Sequence, residues 1–361
     1  MNKKLLTVAA AGTLLLGGCA NNEESGASEE TNDQLTVYAS TFALKSIAEE
    51  IGGDRVQVEM VIPPGADPHT YEPTSRQMTQ IAEADLFLTV GHDLEPYVES
   101  MEKSLANEDV SFVKTAENVT LLDADKTVHV HGEDEHAHGE DEHAHEEDEH
   151  AHGEDEHAHE EDEHAHEEDE HAHEEDEHAH EEDAHGHSHG QYDPHVWLDP
   201  MNAVSMAEAV EAAFADQAPD YKDEFADRLS AFKEEAEALD AELQAAVDGG
   251  SKKQLLVTHA AYGYMADRYG FEQLPIAGLT PSEEPSQQAL KRVIEEARAH
   301  DLTHIAFEDT VTPKVAEVVK NEIGAETVTI YNLESVTKEQ MEQSYFDLMR
   351  ENVKALEIAL K

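Results

Sequence analysis

The chain has 361 residues, 83 Asp and Glu against 23 Lys and Arg, and a formal net charge of −60 at pH 7. A surface so acidic repels phosphate backbones and anionic headgroups, which excludes nucleic acid and anionic lipid as partners. One cysteine in the whole sequence excludes an intrachain disulfide framework.

Lys3 and Lys4 precede an apolar run from Leu5 to Leu16, followed by Gly17, Gly18 and Cys19. The run is too short to remain as a spanning helix and reads as a secretory signal over residues 1–18. Small residues just before a lone cysteine look like a bacterial lipoprotein cleavage site. That likeness implies cleavage before Cys19, acylation of its sulfur, and an anchor on the outer face of the cell membrane. Residues 19–34 are small and polar, a flexible lipidated tether. Without the signal and the histidine-rich tract described below, about 280 residues remain, enough for two compact lobes.

Leu35–Ala39, Val56–Ile62, Leu86–Val90 and Val110–Val113 read as short apolar strands, with helices over 42–51 and 75–84 between them. This alternation predicts an α/β lobe on a mainly parallel sheet, spanning 35–218. Residues 202–215 and 220–247 are Ala/Glu-rich and helical. The second run, stopped by Gly249 and Gly250, is expected as a rigid helix (219–248) joining two lobes. A second α/β cycle fills 249–361. It has strands over 254–258, 303–307 and 327–331 and helices over 262–269, 286–300, 312–323 and 338–360.

Between the two helical regions of the first lobe lies an insertion, 126–190. Its stretch from His129 to His189 holds 19 of the 25 histidines and 28 acidic residues in a near-regular seven-residue repeat, H-A-H-E-E-D-E. Removing those acids still leaves a charge of −32. With almost no apolar residues beyond Ala, the tract cannot bury enough surface to fold alone and is expected to be disordered. Neutral imidazole is a common ligand for transition metals, and carboxylates add oxygens. His129, His131, His136, His138, His143, His145, His150, His152, His157, His159, His164, His166, His171, His173, His178, His180, His185, His187 and His189 therefore form an accessory, low-affinity metal loop without fixed geometry.

Six histidines lie elsewhere: His69, His92, His195, His259, His300 and His304. His69 follows the second strand and His259 the strand at 254–258, while His195 sits in D-P-H-V-W-L-D-P. Ligands of open α/β sheets bind beyond the carboxyl ends of the strands. One site between the lobes can thus gather His69, His195 and His259 with Glu334, which follows the last strand. Three imidazoles and a carboxylate suit four-coordinate Zn²⁺. Glu308, also at a strand end, is the rival fourth ligand. Asp199 and Trp197 are candidates for orienting and packing His195. His92 is placed at the rim, and His300 and His304 in structural or solvated positions.

The segments P-P-G-A-D-P-H-T-Y-E-P (63–73), D-P-H-V-W-L-D-P (193–200), T-H-A-A-Y-G-Y (258–264) and N-L-E-S-V-T (332–337) together resemble the zinc branch of the metal-specific solute-binding lipoproteins of bacterial ABC importers. The resemblance implies two α/β lobes joined by one rigid helix, with Zn²⁺ held as cargo in the cleft. It also implies delivery to a membrane permease with its cytoplasmic ATPase, by a monomer. The manganese branch is similar but places a carboxylate where this chain has His259, which favours zinc. The alternatives are a receptor for Mn²⁺ or another divalent ion, or a surface metal buffer or adhesin. A zinc hydrolase would use the three histidines, a water, and Glu308 or Asp199 as base, but no HExxH motif is present.

Overall fold

The computed structural model describes residues 34–92, 94–124, 127, 191–281, 285–310 and 314–361. Cys19, the tether up to residue 33 and the histidines from His129 to His189 lie outside them.

Two four-stranded, wholly parallel sheets carry the fold. The first has β1 (Leu35–Ala39), β2 (Val56–Met60), β3 (Leu86–Thr89) and β4 (Ser111–Lys114) in the order β2-β1-β3-β4. The second has β5 (Gln254–Val257), β6 (Glu272–Pro275), β7 (His304–Glu308) and β8 (Glu326–Ile330) in the equivalent order β6-β5-β7-β8. Parallel neighbours need crossovers, and helices supply most of them. These are α1 (Phe42–Gly52), α2 (Ser75–Ala82) and α3 (Val98–Ser104) in the first lobe, then α6 (Gly263–Tyr269), α7 (Gln287–Ala299) and α8 (Lys314–Ile323) in the second. The order reverses between β1 and β3 and between β5 and β7, so each sheet has its own switch point, where a crevice opens beyond the carboxyl ends.

Between the sheets run α4 (Pro200–Gln217) and α5 (Lys222–Asp248), and the chain closes with α9 (Tyr345–Ala359). Asp199 and Pro200 begin α4 in the favoured way: the Asp199 carboxylate accepts from Met201 N–H, and proline occupies a first-turn position that needs no donor. The 27-residue α5 is no bare strut. It packs on α4, α1 and α9, with Phe232 stacked near Phe346 and Tyr345, ring centroids 4.8 and 6.3 Å away. One apolar core runs continuously from Val37 and Phe42 through Trp197 and Phe232 to Val257, Tyr262 and Leu356. Shared burial of this kind ties the lobes together and disfavours a wide hinge. Among the described residues no helix is long and apolar enough to cross a membrane.

Three elements depart from the sequence expectation. β6 and α3 were not anticipated. The closing helix begins at Tyr345 rather than 338, because Ser344 and Asp347 form a reciprocal cap there.

Candidate metal centre

His69 is presented by the loop after β2. Gly65, at φ +79°, takes a left-handed turn that residues with side chains rarely adopt. Its N–H donates to Ser335 Oγ at 2.8 Å, which pins the loop to the second lobe. Asp67 Oδ1 accepts from the His69 N–H at 2.9 Å.

His195 is held by a short stem. Asp123 and Tyr192 form an antiparallel bridge, and Asp193 N–H donates to Leu122 O at 2.9 Å. Asp193 Oδ1 then accepts from the His195 N–H at 3.0 Å and lies 2.7 Å from its Nδ1. The ring is fixed with Nε2 pointing at Glu334 Oε1, 2.6 Å away.

Glu334 comes from the loop after β8. Leu333 is left-handed, at φ 59°. The first turn of α1 supports this bend: Phe42 N–H and Ala43 N–H donate to the carbonyls of Glu334 and Leu333, both at 2.9 Å. Glu334 Oε1 is also 3.1 Å from His69 Nε2.

One ligand atom from each of His69, His195 and Glu334 lies within 4.8 Å of the others. His259 stands beside them, fully buried, its ring centroid 5.5 Å from that of His195. Its Nδ1 is 2.6 Å from Glu308 Oε1, yet the oxygen lies out of line for an N–H bond and neither ring nitrogen has a hydrogen-bond partner. The buried ring thus has no hydrogen-bond partner among the described residues, and a neutral imidazole there has a lone pair to offer an ion. Glu308 otherwise accepts from Thr258 Oγ1 (3.2 Å), Tyr262 OH (3.4 Å) and Asn332 Nδ2 (2.9 Å). Of the two rival carboxylates, Glu334 falls in the cluster and Glu308 backs His259.

Both nitrogens of His195 face carboxylates, which only accept, so without metal the ring carries two protons. Burial pulls its pKa down, but Asp193 and Glu334 outweigh this and raise it to about 10. Burial pushes Glu334 up, but His69 and His195 hold it well below the usual carboxylate range. Positive charge is thus strongly favoured at this point, and a dication bound by the same atoms satisfies that demand without the protons.

Trp197 packs its ring 5.6 Å from His195 and donates Nε1–H to Asn332 O at 2.6 Å. Asp199 does not orient His195; its carboxylate caps α4 and lies 3.4 Å from Arg268. The residue that orients His195 is Asp193, which sequence reasoning passed over. Its signal was available: D-P-H occurs twice, at 67–69 and 193–195, and each time the aspartate accepts from the histidine N–H two residues on. Asn332 was also passed over. His92 contacts Ala116 O at 3.1 Å, His300 lies 3.4 Å from Glu296, and His304 lies 3.9 Å from Glu326, all away from the cluster.

Two parallel-sheet lobes with buried imidazoles and a carboxylate between their strand ends define a metal-binding solute receptor. The chain belongs to the family of zinc-uptake complex component A, periplasmic, which it matches over residues 37–359. It is 30% identical to the high-affinity zinc uptake system protein ZnuA of Bacillus subtilis, across 98% of this chain and 97% of that protein. It is 27% identical to the zinc-binding lipoprotein AdcA of Streptococcus pneumoniae, across 99% of this chain but only 60% of AdcA. The crystal structure of Zn(II)-bound AdcA from Streptococcus pneumoniae shares the fold with a TM-score of 0.65 at 24% identity, covering 91% of this chain and 58% of that one. Zinc is accordingly the cargo, captured for import by an ABC transporter, and the family's members are receptors.

Proposed function

We propose that His69, His195, His259 and Glu334 bind one Zn²⁺ in the cleft, and that the loaded protein docks on a membrane permease whose ATPase drives release. The carrying observation is the convergence of His69 with the buried His195 and Glu334, with His259 alongside and its ring nitrogens unpartnered. A set closed by four protein ligands binds tightly and leaves no place for a reactive water, which favours a receptor over a hydrolase. The protein works outside the cytoplasm as a monomer, held to the cell membrane by acylated Cys19. The histidine-rich loop collects further zinc at low affinity.

Calorimetric zinc titration of the chain lacking residues 129–189 tests this reading. One tight site is expected, and it is lost when His69, His195 and His259 are all replaced by alanine. Absence of a tight site without the loop would make the protein a surface metal buffer instead.

A further inference from the structure

Asn332 lies between two buried carboxylates of the second lobe, Glu308 and Glu334. Its Nδ2 donates to Glu308 Oε2 at 2.9 Å and to Glu334 Oε2 at 3.2 Å, while its Oδ1 accepts from the Glu334 N–H at 3.0 Å. These partners settle which end of the amide is which, because carboxylates only accept and a backbone N–H only donates. All three residues are buried.

The consequence for Glu334 is asymmetric. Oε1 faces His69 Nε2 and His195 Nε2, at 3.1 and 2.6 Å, whereas Oε2 is engaged by Asn332. We propose that Asn332 is a specificity-determining residue: by holding Oε2 it restricts Glu334 to one metal-binding oxygen, and so favours four-coordinate zinc over ions that need more oxygens. The inference rests on the reading of Glu334 as a ligand.

Zinc is satisfied by four ligands in tetrahedral array. Mn²⁺ binds the same donors more weakly and prefers an oxygen-rich, six-fold shell. A carboxylate with both oxygens free can supply two of those ligands. Here the second oxygen already accepts from Asn332, so turning it toward the ion strains that hydrogen bond and works against a buried donor. Glu308 takes the other proton of the same NH₂ group and so keeps the amide turned toward Glu334. Asn332 acts through Glu334 and need not touch the ion.

The test uses the full chain, wild type and Asn332→Ala, loaded sub-stoichiometrically so that the tightest site fills first. Visible absorption of the Co²⁺-loaded protein reads coordination number, since four-coordinate cobalt absorbs far more strongly than five- or six-coordinate cobalt. Competition between Zn²⁺ and Mn²⁺ reads selectivity. The wild type is expected to show the intense four-coordinate spectrum. Asn332→Ala should show a weaker one, with the Mn²⁺-to-Zn²⁺ affinity ratio raised about 10- to 100-fold, the equivalent of one buried hydrogen bond to a charged group. An unchanged spectrum and ratio in the variant would overturn the proposal. So would a weak, higher-coordinate spectrum in the wild type, a result that needs no variant to fold. Asn332→Asp, nearly isosteric but without the donor, serves as the second variant with the same expected loss of intensity. Glu334→Gln separates the two levels: if it leaves the cobalt spectrum of the wild type unaltered, Glu334 is not a ligand and the underlying reading fails as well.

Discussion

A Cβ on Gly263 would meet Oδ2 of Asp193 at 2.5 Å and Cγ2 of Thr127 at 2.6 Å. Gly263 opens α6 in the second lobe, whereas Asp193 belongs to the stem that holds His195. The missing side chain therefore sets how closely the stem approaches the cleft. Gln273, which donates to Thr127 O at 2.7 Å, and Tyr264, which donates to Asp193 O at 2.8 Å, fasten the same junction.

Gly263→Ala should consequently push Asp193 away and loosen His195. The overpacking costs about 1–3 kcal/mol of stability. Zinc affinity should fall about 10- to 100-fold, the usual consequence of disturbing a residue that orients a ligating histidine. Asp193→Ala should match it in affinity without the clash. Competition with a zinc chelator measures both, and wild-type affinity in Gly263→Ala would show that the stem position does not govern His195.

Glu308 and Glu334 differ in what they face, so their amide variants should separate. Glu334→Gln removes the carboxylate that contacts both His69 and His195, and should cost more than any change outside the cluster. Glu308→Gln leaves that carboxylate in place and removes the charge beside His259 together with one acceptor oxygen, so a 10- to 100-fold loss, roughly, is expected. Isothermal titration of both variants decides the order. A larger loss in Glu308→Gln would reverse the assignment of ligand and supporting acid.

Much of this arrangement was legible in the sequence, for identifiable reasons. β3, β5 and β7 are nearly continuous apolar runs, as strands buried on both faces must be, and the last two located His259 and Glu308 at strand ends. β6 escaped notice because Glu272-Gln273-Leu274-Pro275 carries no run at all. Its strand character comes from pairing with β5, at an edge where proline is tolerated. The start of α9 was misplaced because Gln340 looks helical locally, yet its side chain bonds Thr337 N–H and Asp309 and holds a turn instead. Asn332 stayed hidden for a different reason. An amide beside a candidate ligand is unremarkable until the ends of β7 and β8 bring Glu308 and Glu334 to opposite sides of it.

Glu95 gives a pH dependence independent of metal. It is buried, and accepts from Ser40 Oγ, from Val90 N–H at 2.9 Å and from Gly91 N–H at 3.1 Å. Burial outweighs these bonds and raises its pKa above the ordinary 4.5. A carboxyl with a raised folded-state pKa contributes its stability below the unfolded value and loses it as pH climbs through the folded one. The stability of the wild type relative to Glu95→Gln should therefore decline from pH 4.5 toward neutrality, by at most about 1.4 kcal/mol per pH unit. Denaturant unfolding of metal-free protein across this range checks it, and a flat difference would mean that Glu95 is not desolvated in solution.

Trp197 is the only tryptophan of the chain, and its ring centroid lies 5.6 Å from that of His195. Its environment changes when the proton on His195 is exchanged for a dication, whereas the histidine-rich loop contains no indole of its own. Intrinsic fluorescence is thus expected to report the cleft alone. In a zinc titration of the full chain the signal should move over the first equivalent and then hold steady while the loop fills, because the cleft ligands are already preorganised by their hydrogen-bond partners and lose little freedom on binding. Removing residues 129–189 should leave that first phase intact, and His195→Ala should abolish it. A signal that instead climbs gradually over many equivalents would mean that the loop competes on level terms with the cleft, and that the tight site is not the one built by His69, His195 and Glu334.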